Sequence, residues 1–124
     1  MITGSGVDII EIKRIKEAIS NKQFIKRVFH DNEVAYCESR KAQSYASYAA
    51  RFAAKEAILK AFGTGLRGGT LTEIEIYNDA LGCPKVRLHG YFKEWVDKNK
   101  IADICISLSH SKEYAIAQAI CWRS

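Results

Sequence analysis

Glu56 is the residue of this sequence whose type and position point most directly to chemistry. Its neighbours three and four positions away include Phe52, Leu59 and Lys60, so in a helix it lies on or beside an apolar stripe. A carboxylate in that position needs a compensating charge, because burial otherwise drives it towards its neutral form. Two interpretations stay open: Glu56 pairs with Lys60 on a solvated face, or it faces a cleft as a metal ligand.

Asp8 is a second carboxylate in apolar surroundings. It stands among Val7, Ile9 and Ile10 with no basic neighbour, at the end of a predicted strand. It either stabilises the N-terminus of the helix that follows or joins Glu56. Two half-buried carboxylates from different elements are a suitable start for a Mg²⁺ site, which is commonly completed by water and phosphate oxygens. Spacing alone does not bring them together.

A strand and a helix must position these carboxylates. Residues 2–9 are predicted as a strand in which Gly4 and Gly6 permit close backbone approach. The alanine-rich residues 44–62 are predicted as the main helix, ended by Gly63 and Gly65. The periodicity predicts three shorter helices between them: from Ile12 to about Ser20, over residues 24–29, and over residues 32–40 with Asp31 as the N-cap.

The second half of the chain is predicted to be mostly strand. Residues 72–78 alternate with period two, and after a turn over residues 78–84 a second strand runs through Val86 and Leu88. A short helix around residues 92–96 precedes a hairpin of residues 102–109 and 114–122, with His110 in its tight turn. Helices early and strands late predict one α+β domain over residues 1–124, with helices packed on an antiparallel sheet.

The charge distribution favours an anionic partner. The 124 residues carry a net charge of +5, and residues 9–30 alone hold six basic and two acidic side chains. No stretch approaches the ~20 apolar residues of a membrane span, and residues 1–10 show no leader pattern. The four cysteines form no CxxC pair, which favours reduced thiols in the cytoplasm over disulfides or zinc.

Three segments resemble one known family. They are GVDII at residues 6–10 with Glu11 following, RFAAKEAILKAFGTG at 51–65, and ISLSHSKEYAIAQAI at 106–120. In this order and at this length they are similar to the holo-acyl-carrier-protein synthases, the short type of 4'-phosphopantetheinyl transferase. The second block is the most specific of the three. The resemblance implies the fold of that family, and the short type is trimeric.

The resemblance also implies a reaction and a set of residues. Phosphopantetheine would pass from coenzyme A to a serine of apo acyl carrier protein, with release of 3',5'-ADP. Asp8 and Glu56 would hold Mg²⁺, and Lys60 would contact a phosphate or relay a proton. Contacts to coenzyme A are expected at Arg51 and along the backbone of Gly63, Thr64 and Gly65. The alternative for Arg51, and for Lys55 four residues later, is a solvated face of the helix.

In the family the first helix docks an acidic carrier protein. The basic residues of the corresponding segment here are therefore expected to bind it, with Arg14 foremost. His110 is expected to reach coenzyme A bound to the Asp8, Glu56 and Lys60 of a neighbouring subunit, so that each site lies between chains. The carrier-binding residues are Lys13, Arg14, Lys22, Lys26 and Arg27.

Two other functions remain open on the sequence. A small basic chain could bind nucleic acid, although no helix-turn-helix, zinc-finger or aromatic-basic strand motif is present. It could also bind coenzyme A without transferring anything. One departure concerns the metal: longer relatives have a third carboxylate two residues after the aspartate, where this chain has Ile10. Glu11 would point to the opposite side of an extended segment, so two protein ligands are expected.

Overall fold

The computed structural model describes residues 1–124 as an α+β arrangement with five helices and five strands. The fold class predicted from the sequence is confirmed. In chain order the elements are β1 (Ile2–Glu11), α1 (Ile12–Ala18), α2 (Lys22–Val28), α3 (Asp31–Ser39), α4 (Ser44–Phe62), β2 (Ile74–Asn78), β3 (Pro84–Leu88), α5 (Gly90–Lys98), β4 (Asp103–His110) and β5 (Tyr114–Trp122). Single 3₁₀ turns, Lys41–Gln43 and Leu71–Glu73, precede α4 and β2.

The strands form two antiparallel sheets rather than the single sheet expected. The larger has the order β1-β5-β4, with Asp8 opposite Ala117 and Ser107 opposite Gln118. The hairpin of β2 and β3 forms a separate two-stranded sheet. His110 pairs with Ala115 and is the last residue of β4, so it ends a strand instead of lying in the turn.

Helix α4 is the centre of the core. Twelve of its 19 residues are buried, and seven of these are alanines. On β5 the facing residues Ala115, Ala117 and Ala119 are also fully buried. Small side chains on both surfaces let the helix lie close to the sheet, so α4 is enclosed on nearly every side. A helix enclosed in this way is apolar nearly all round, and its polar residues need partners inside the protein.

Lys55 is one of these polar residues, and the solvated-face interpretation of Arg51 and Lys55 is wrong. Lys55 is fully buried; its Nζ lies 2.6 Å from Glu33 Oε1 and donates to the carbonyls of Leu71 and Ile74 at 2.8 Å each. Burial lowers the pKa of Lys55, and the adjacent carboxylate of Glu33 opposes that shift. Breaking such a pair on one side typically costs about 3–5 kcal/mol. Lys55 therefore joins α3, α4 and the start of β2.

Helix α3 and its N-cap both come one residue earlier than predicted. His30, not Asp31, is the N-cap: its Nδ1 accepts the Asn32 backbone N–H at 3.1 Å, and Glu33 accepts the His30 backbone N–H at 2.9 Å. A neutral imidazole nitrogen accepts a hydrogen bond as an aspartate oxygen would. The capping box is thus made by a residue that is uncommon at this position.

No helix of this chain is both long enough and apolar enough to cross a membrane.

Candidate active site

Close packing between β1 and α4 brings the two predicted carboxylates to one place. An added Cβ at Gly4 would collide with the carbonyl oxygen of Ala61, and one at Gly6 with that of Ala57. Glycine is therefore required at both positions, and the strand lies directly against the helix. Asp8 continues the same face of β1 beyond Gly6. It reaches α4 at the level of Glu56 and Lys60.

Lys60 pairs with Asp8 and not with Glu56. Its Nζ lies 3.1 Å from Asp8 Oδ1 and donates to the Val7 carbonyl at 2.9 Å. The side chain of Asp8 is 18% exposed and that of Lys60 is 55% exposed, so the pair stands at the edge of the solvent. The helical Glu56–Lys60 pair, one of the two interpretations of the sequence, is not formed.

Glu56 is left without a partner of its own. Its half-buried carboxylate takes part in none of the side-chain hydrogen bonds or ion pairs of the chain. Burial raises the pKa of Glu56, the charge of Asp8 raises it further, and Lys60 partly opposes both. Two carboxylates and one ammonium leave an excess of one negative charge. A hard cation bound by oxygen ligands would compensate that charge, so these residues fit a Mg²⁺ site.

A cleft opens beside Glu56. It has a volume of about 540 Å³ and an apolar floor that includes Phe24, Phe52 and Leu71. Lys26 and Arg27 of α2 also line it, which places two residues of the predicted carrier-binding segment next to Glu56. The floor could not be predicted from the sequence, because its residues come from three separate parts of the chain.

The segment Gly63-Thr64-Gly65 turns the chain away from the end of α4. Gly63 has a φ of 77° and is the left-handed C-cap, and Gly65 has a φ of 63°. Both glycines are exposed, and no atom lies within 4 Å of a Cβ built on either. An extended ligand could therefore lie directly against this backbone, next to Lys60 in the last turn of the helix.

Arg51 faces a different cavity. It is 4% exposed, its Nη2 donates to Asn78 Oδ1 at 2.6 Å, and its guanidinium lies 4.2 Å from the centre of the Tyr36 ring. The Nε of Arg51 is the one buried side-chain nitrogen or oxygen with no hydrogen-bond partner. The cavity holds about 510 Å³ and also includes Tyr77 and Asp79. Arg51 is thus not grouped with Asp8, Glu56 and Lys60.

His110 does not contact the carboxylates of its own chain. It lies at the exposed end of β4, and its one side-chain hydrogen bond joins Nδ1 to the Ser111 carbonyl at 3.4 Å. Strand β5 separates it from β1, and two strand spacings amount to roughly 10 Å. The five basic residues predicted to bind a carrier protein are all exposed, Lys13 and Arg14 on α1 and the other three on α2.

Sequence reasoning missed a second polar cluster, formed by His30, Glu75 and His89. Glu75 lies in β2, which was predicted only as an alternating strand, and it is 1% exposed. The capping-box spacing of His30 and Glu33 was the available signal that the start of α3 is polar and fixed.

The whole chain is similar to known enzymes. Residues 4–119 match the family model described as the 4'-phosphopantetheinyl transferase superfamily. The holo-[acyl-carrier-protein] synthase of Ruminiclostridium cellulolyticum is 56% identical over 118 residues, which are 93% of this chain and 88% of that protein. The family match includes the first two segments that carry the resemblance and all but the last residue of the third.

Solved structures agree in fold. The holo-[acyl-carrier-protein] synthase of Neisseria meningitidis superposes with a TM-score of 0.90 at 31% identity, covering 99% of this chain and 100% of that one. The enzyme of Bacillus anthracis, solved in complex with coenzyme A (3',5'-ADP), has a TM-score of 0.83 at 35% identity over 100% and 99% of the two chains.

The fold and the sequence together define a class of transferases. This chain belongs to the 4'-phosphopantetheinyl transferase superfamily, and within it to the holo-[acyl-carrier-protein] synthases.

Proposed function

We propose that this enzyme transfers 4'-phosphopantetheine from coenzyme A to a serine of apo acyl carrier protein and releases 3',5'-ADP. The observation that carries the proposal is the grouping of Asp8, Glu56 and Lys60, with Glu56 lining an apolar cleft. Carboxylates and an ammonium side by side are the groups that a pyrophosphate-bearing substrate requires. The family supplies the two substrates.

Asp8 and Glu56 would hold Mg²⁺. The support is the unpartnered, half-buried carboxylate of Glu56 and the unfavourable closeness of two negative charges. When bound, the metal would neutralise charge that accumulates on the pyrophosphate. Glu11 is exposed and Ile10 shares the Asp8 face of β1, so we expect two protein ligands, with water and substrate oxygens completing the shell.

Lys60 would act on the phosphates. In the reaction the serine Oγ would form a bond to the β-phosphorus, the bond from that phosphorus to the 3',5'-ADP oxygen would break, and the serine proton would pass to water in the open cleft. The Lys60 ammonium is already held 3.1 Å from Asp8 and is mobile enough, at 55% exposure, to turn to a pyrophosphate oxygen. A positive charge fixed there stabilises the departing 3',5'-ADP more than the ground state.

The adenosine end of coenzyme A would lie away from the carboxylates. Gly63, Thr64 and Gly65 offer open backbone beside Lys60, and Arg51 offers an unused buried Nε to a phosphate. Arg51 precedes Gly63, the C-cap of α4, by twelve residues, a rise of about 18 Å along the helix. Only an extended ligand could use both regions, and coenzyme A is such a ligand.

Carrier-protein docking would use the basic surface of α1 and α2. Its five residues are exposed, and Lys26 and Arg27 reach the cleft that contains Glu56. An acidic helix bound there would be guided by charge towards the reactive site. The basic surface therefore extends to the cleft in which the serine of the carrier protein would have to bind.

The active enzyme would be a trimer with shared sites. The face of the larger sheet that is turned away from α4 carries exposed apolar side chains: Val7 is 54%, Ile9 60% and Ile116 41% exposed. A flat apolar patch on one sheet face is typical of a subunit interface. His110 ends a strand of this sheet, so a neighbouring chain could bring its imidazole to the carboxylates. The cytoplasmic location remains a prediction from cysteine usage.

The decisive experiment measures the mass of apo acyl carrier protein after incubation with this enzyme, coenzyme A and Mg²⁺. We expect the mass to rise by one phosphopantetheine per serine, and no rise with Glu56→Ala or with a chelator in excess. Coenzyme A binding without any mass change would instead make the chain a binding subunit. Binding of RNA or DNA with a steep salt dependence, and no transfer, would favour the nucleic-acid function.

A further inference from the structure

The polar cluster of His30, Glu75 and His89 lies outside the proposed active site. One ligating atom from each side chain falls within 4.8 Å of the other two. Glu75 Oε1 is 2.9 Å from His89 Nε2 and 3.7 Å from His30 Nε2, and the two rings are stacked at 5.2 Å between centroids. Three elements meet here: His30 caps α3, Glu75 is in β2, and His89 precedes α5.

We propose that this cluster binds a divalent transition metal of the Zn²⁺ type. Two imidazoles and a carboxylate are the donors that such ions favour, whereas Mg²⁺ favours oxygen alone. Bonds of about 2.0–2.1 Å in a tetrahedral shell put neighbouring ligand atoms roughly 3.3 Å apart. The two distances to Glu75 Oε1, 2.9 and 3.7 Å, lie on either side of that value. The two imidazole nitrogens lie within 4.8 Å of each other, so a ring would have to move by up to about 1.5 Å to complete the shell.

The cluster is held in place yet open on one side. Glu75 is 1% exposed, and its other oxygen, Oε2, accepts from Asn32 Nδ2 and Arg87 at 3.1 Å each. These bonds orient the carboxylate and leave Oε1 towards the imidazoles, as second partners of a metal ligand do. The histidine side chains are 31% and 40% exposed, so water can supply the fourth ligand. The Arg87 charge weakens the site for any cation.

Metal binding competes with the helix cap. His30 Nδ1 accepts the Asn32 N–H, which places the proton of the neutral ring on Nε2, the nitrogen that faces Glu75. A metal on Nε2 moves that proton to Nδ1, and the cap bond is lost to water. An N-cap contributes about 1 kcal/mol, so this competition lowers the affinity roughly fivefold. It also makes the Asn32 amide a local reporter of binding.

The site is independent of the reaction. Its ligands are on α3, β2 and the residue before α5, whereas Asp8 and Glu56 are on β1 and α4. A bound ion would add a link among three elements, of which α3 and β2 are already joined by the hydrogen bond from Asn32 to Glu75. The metal site is therefore independent of the proposed function, and its test measures metal binding rather than turnover.

The experiment titrates Co²⁺ into the full chain under excess Mg²⁺, which occupies the carboxylate pair of Asp8 and Glu56. The background carries Cys83→Ser and Cys105→Ser, because exposed thiols also bind these ions. Visible absorption reports tetrahedral cobalt, and the NMR signals of the imidazoles and of the Asn32 amide report the position. Zn²⁺ is then used to displace the cobalt.

His30→Ser keeps an N-cap side chain and removes a ligand, and His89→Gln keeps a hydrogen-bond donor to Glu75 and removes the other. We expect one Co²⁺ per chain, displaced by Zn²⁺, with binding weakened at least tenfold in each variant and unchanged in His110→Gln, which alters the remaining histidine. The Asn32 amide signal should shift on binding. Equal affinity in all four proteins, or no binding up to millimolar metal, would overturn the site.

Discussion

Lys60 Nζ lies 3.1 Å from Asp8 Oδ1, although the two residues are separated by 52 positions along the chain. The contact joins the last turn of α4 to the far part of β1 and leaves Glu56, one turn earlier on the same helix, without a counter-ion. This arrangement gives the carboxylate pair its excess negative charge.

Replacing either carboxylate should abolish most of the activity while the fold survives. A catalytic metal supplies several kcal/mol, so Asp8→Ala and Glu56→Ala should each lower turnover by about two to four orders of magnitude. Thermal unfolding should stay within a few degrees of the parent, because neither side chain packs in the core. Mg²⁺-dependent transfer at a near-parental rate in either variant would show that the ligand assignment is wrong.

Glu56 should also make stability depend on pH. Its pKa in the folded protein is raised above the ordinary value of 4.5, chiefly by burial. The folded state then holds the proton more tightly than the unfolded state, so stability falls as the pH rises from about 4.5 through the folded pKa. The full penalty is present above the folded pKa.

Glu56→Gln removes that penalty. In metal-free buffer the variant should be more stable than the parent at pH 7, and the difference should vanish below about pH 4.5. Urea unfolding at several pH values measures the difference, with Glu11→Gln as a control at an exposed carboxylate of β1. A gain in stability of equal size at every pH would mean that the gain does not arise from the ionisation of Glu56.

The local elements could be predicted from the sequence because each depends on residues near in the chain. The helix over 44–62 was predicted with its bounds, and the hairpin of residues 102–122 almost so. The meeting of Asp8 with Lys60 could not be predicted from spacing. It depends on two glycines of β1 fitting against α4, and only the family resemblance indicated it.

Ion pairs between residues distant in the chain could not be predicted from the sequence. Lys55 looks like half of a solvated strip until Glu33, 22 residues earlier, is seen to lie 2.6 Å from it in the core. Likewise the division into two sheets depends on which strand edges meet, and period-two alternation says nothing of that. His30 as the N-cap was missed because Asp31, the next residue, is the commoner capping type.

Glu11 should contribute little to catalysis. Strand alternation turns its side chain to the face opposite Asp8, where it is exposed. Glu11→Gln should therefore keep turnover within about twofold of the parent, since surface changes away from a site are usually mild. Its dependence on Mg²⁺ concentration should also be unchanged. A loss comparable with that of Asp8→Ala would make Glu11 a third ligand.

Arg14 should serve the carrier protein and not coenzyme A. It is exposed on α1, and reversal of one docking charge acts mainly on association. Arg14→Glu should raise KM for the carrier protein roughly tenfold, less at high salt, with little change in KM for coenzyme A. Lys98→Glu, an equal change of charge at an exposed position of α5, is the matched control. Equal rises in KM for both substrates would show that Arg14 shapes the active site instead of docking the carrier protein.

Two inactive variants should restore each other if sites lie between subunits. His110→Ala chains keep Glu56, and Glu56→Ala chains keep His110, so a mixed interface can hold one intact copy of each. With random exchange at equal amounts, about a quarter of the sites in the proposed trimer combine both residues. Activity should thus return to as much as about a quarter of the parental value, from near zero in either variant alone. Native mass spectrometry shows whether mixed assemblies form, and the carrier-protein mass assay measures transfer. Mixed assemblies that stay as inactive as their parents would place the whole site within one chain, and His110 would then have to act, if at all, beside the carboxylates of its own chain.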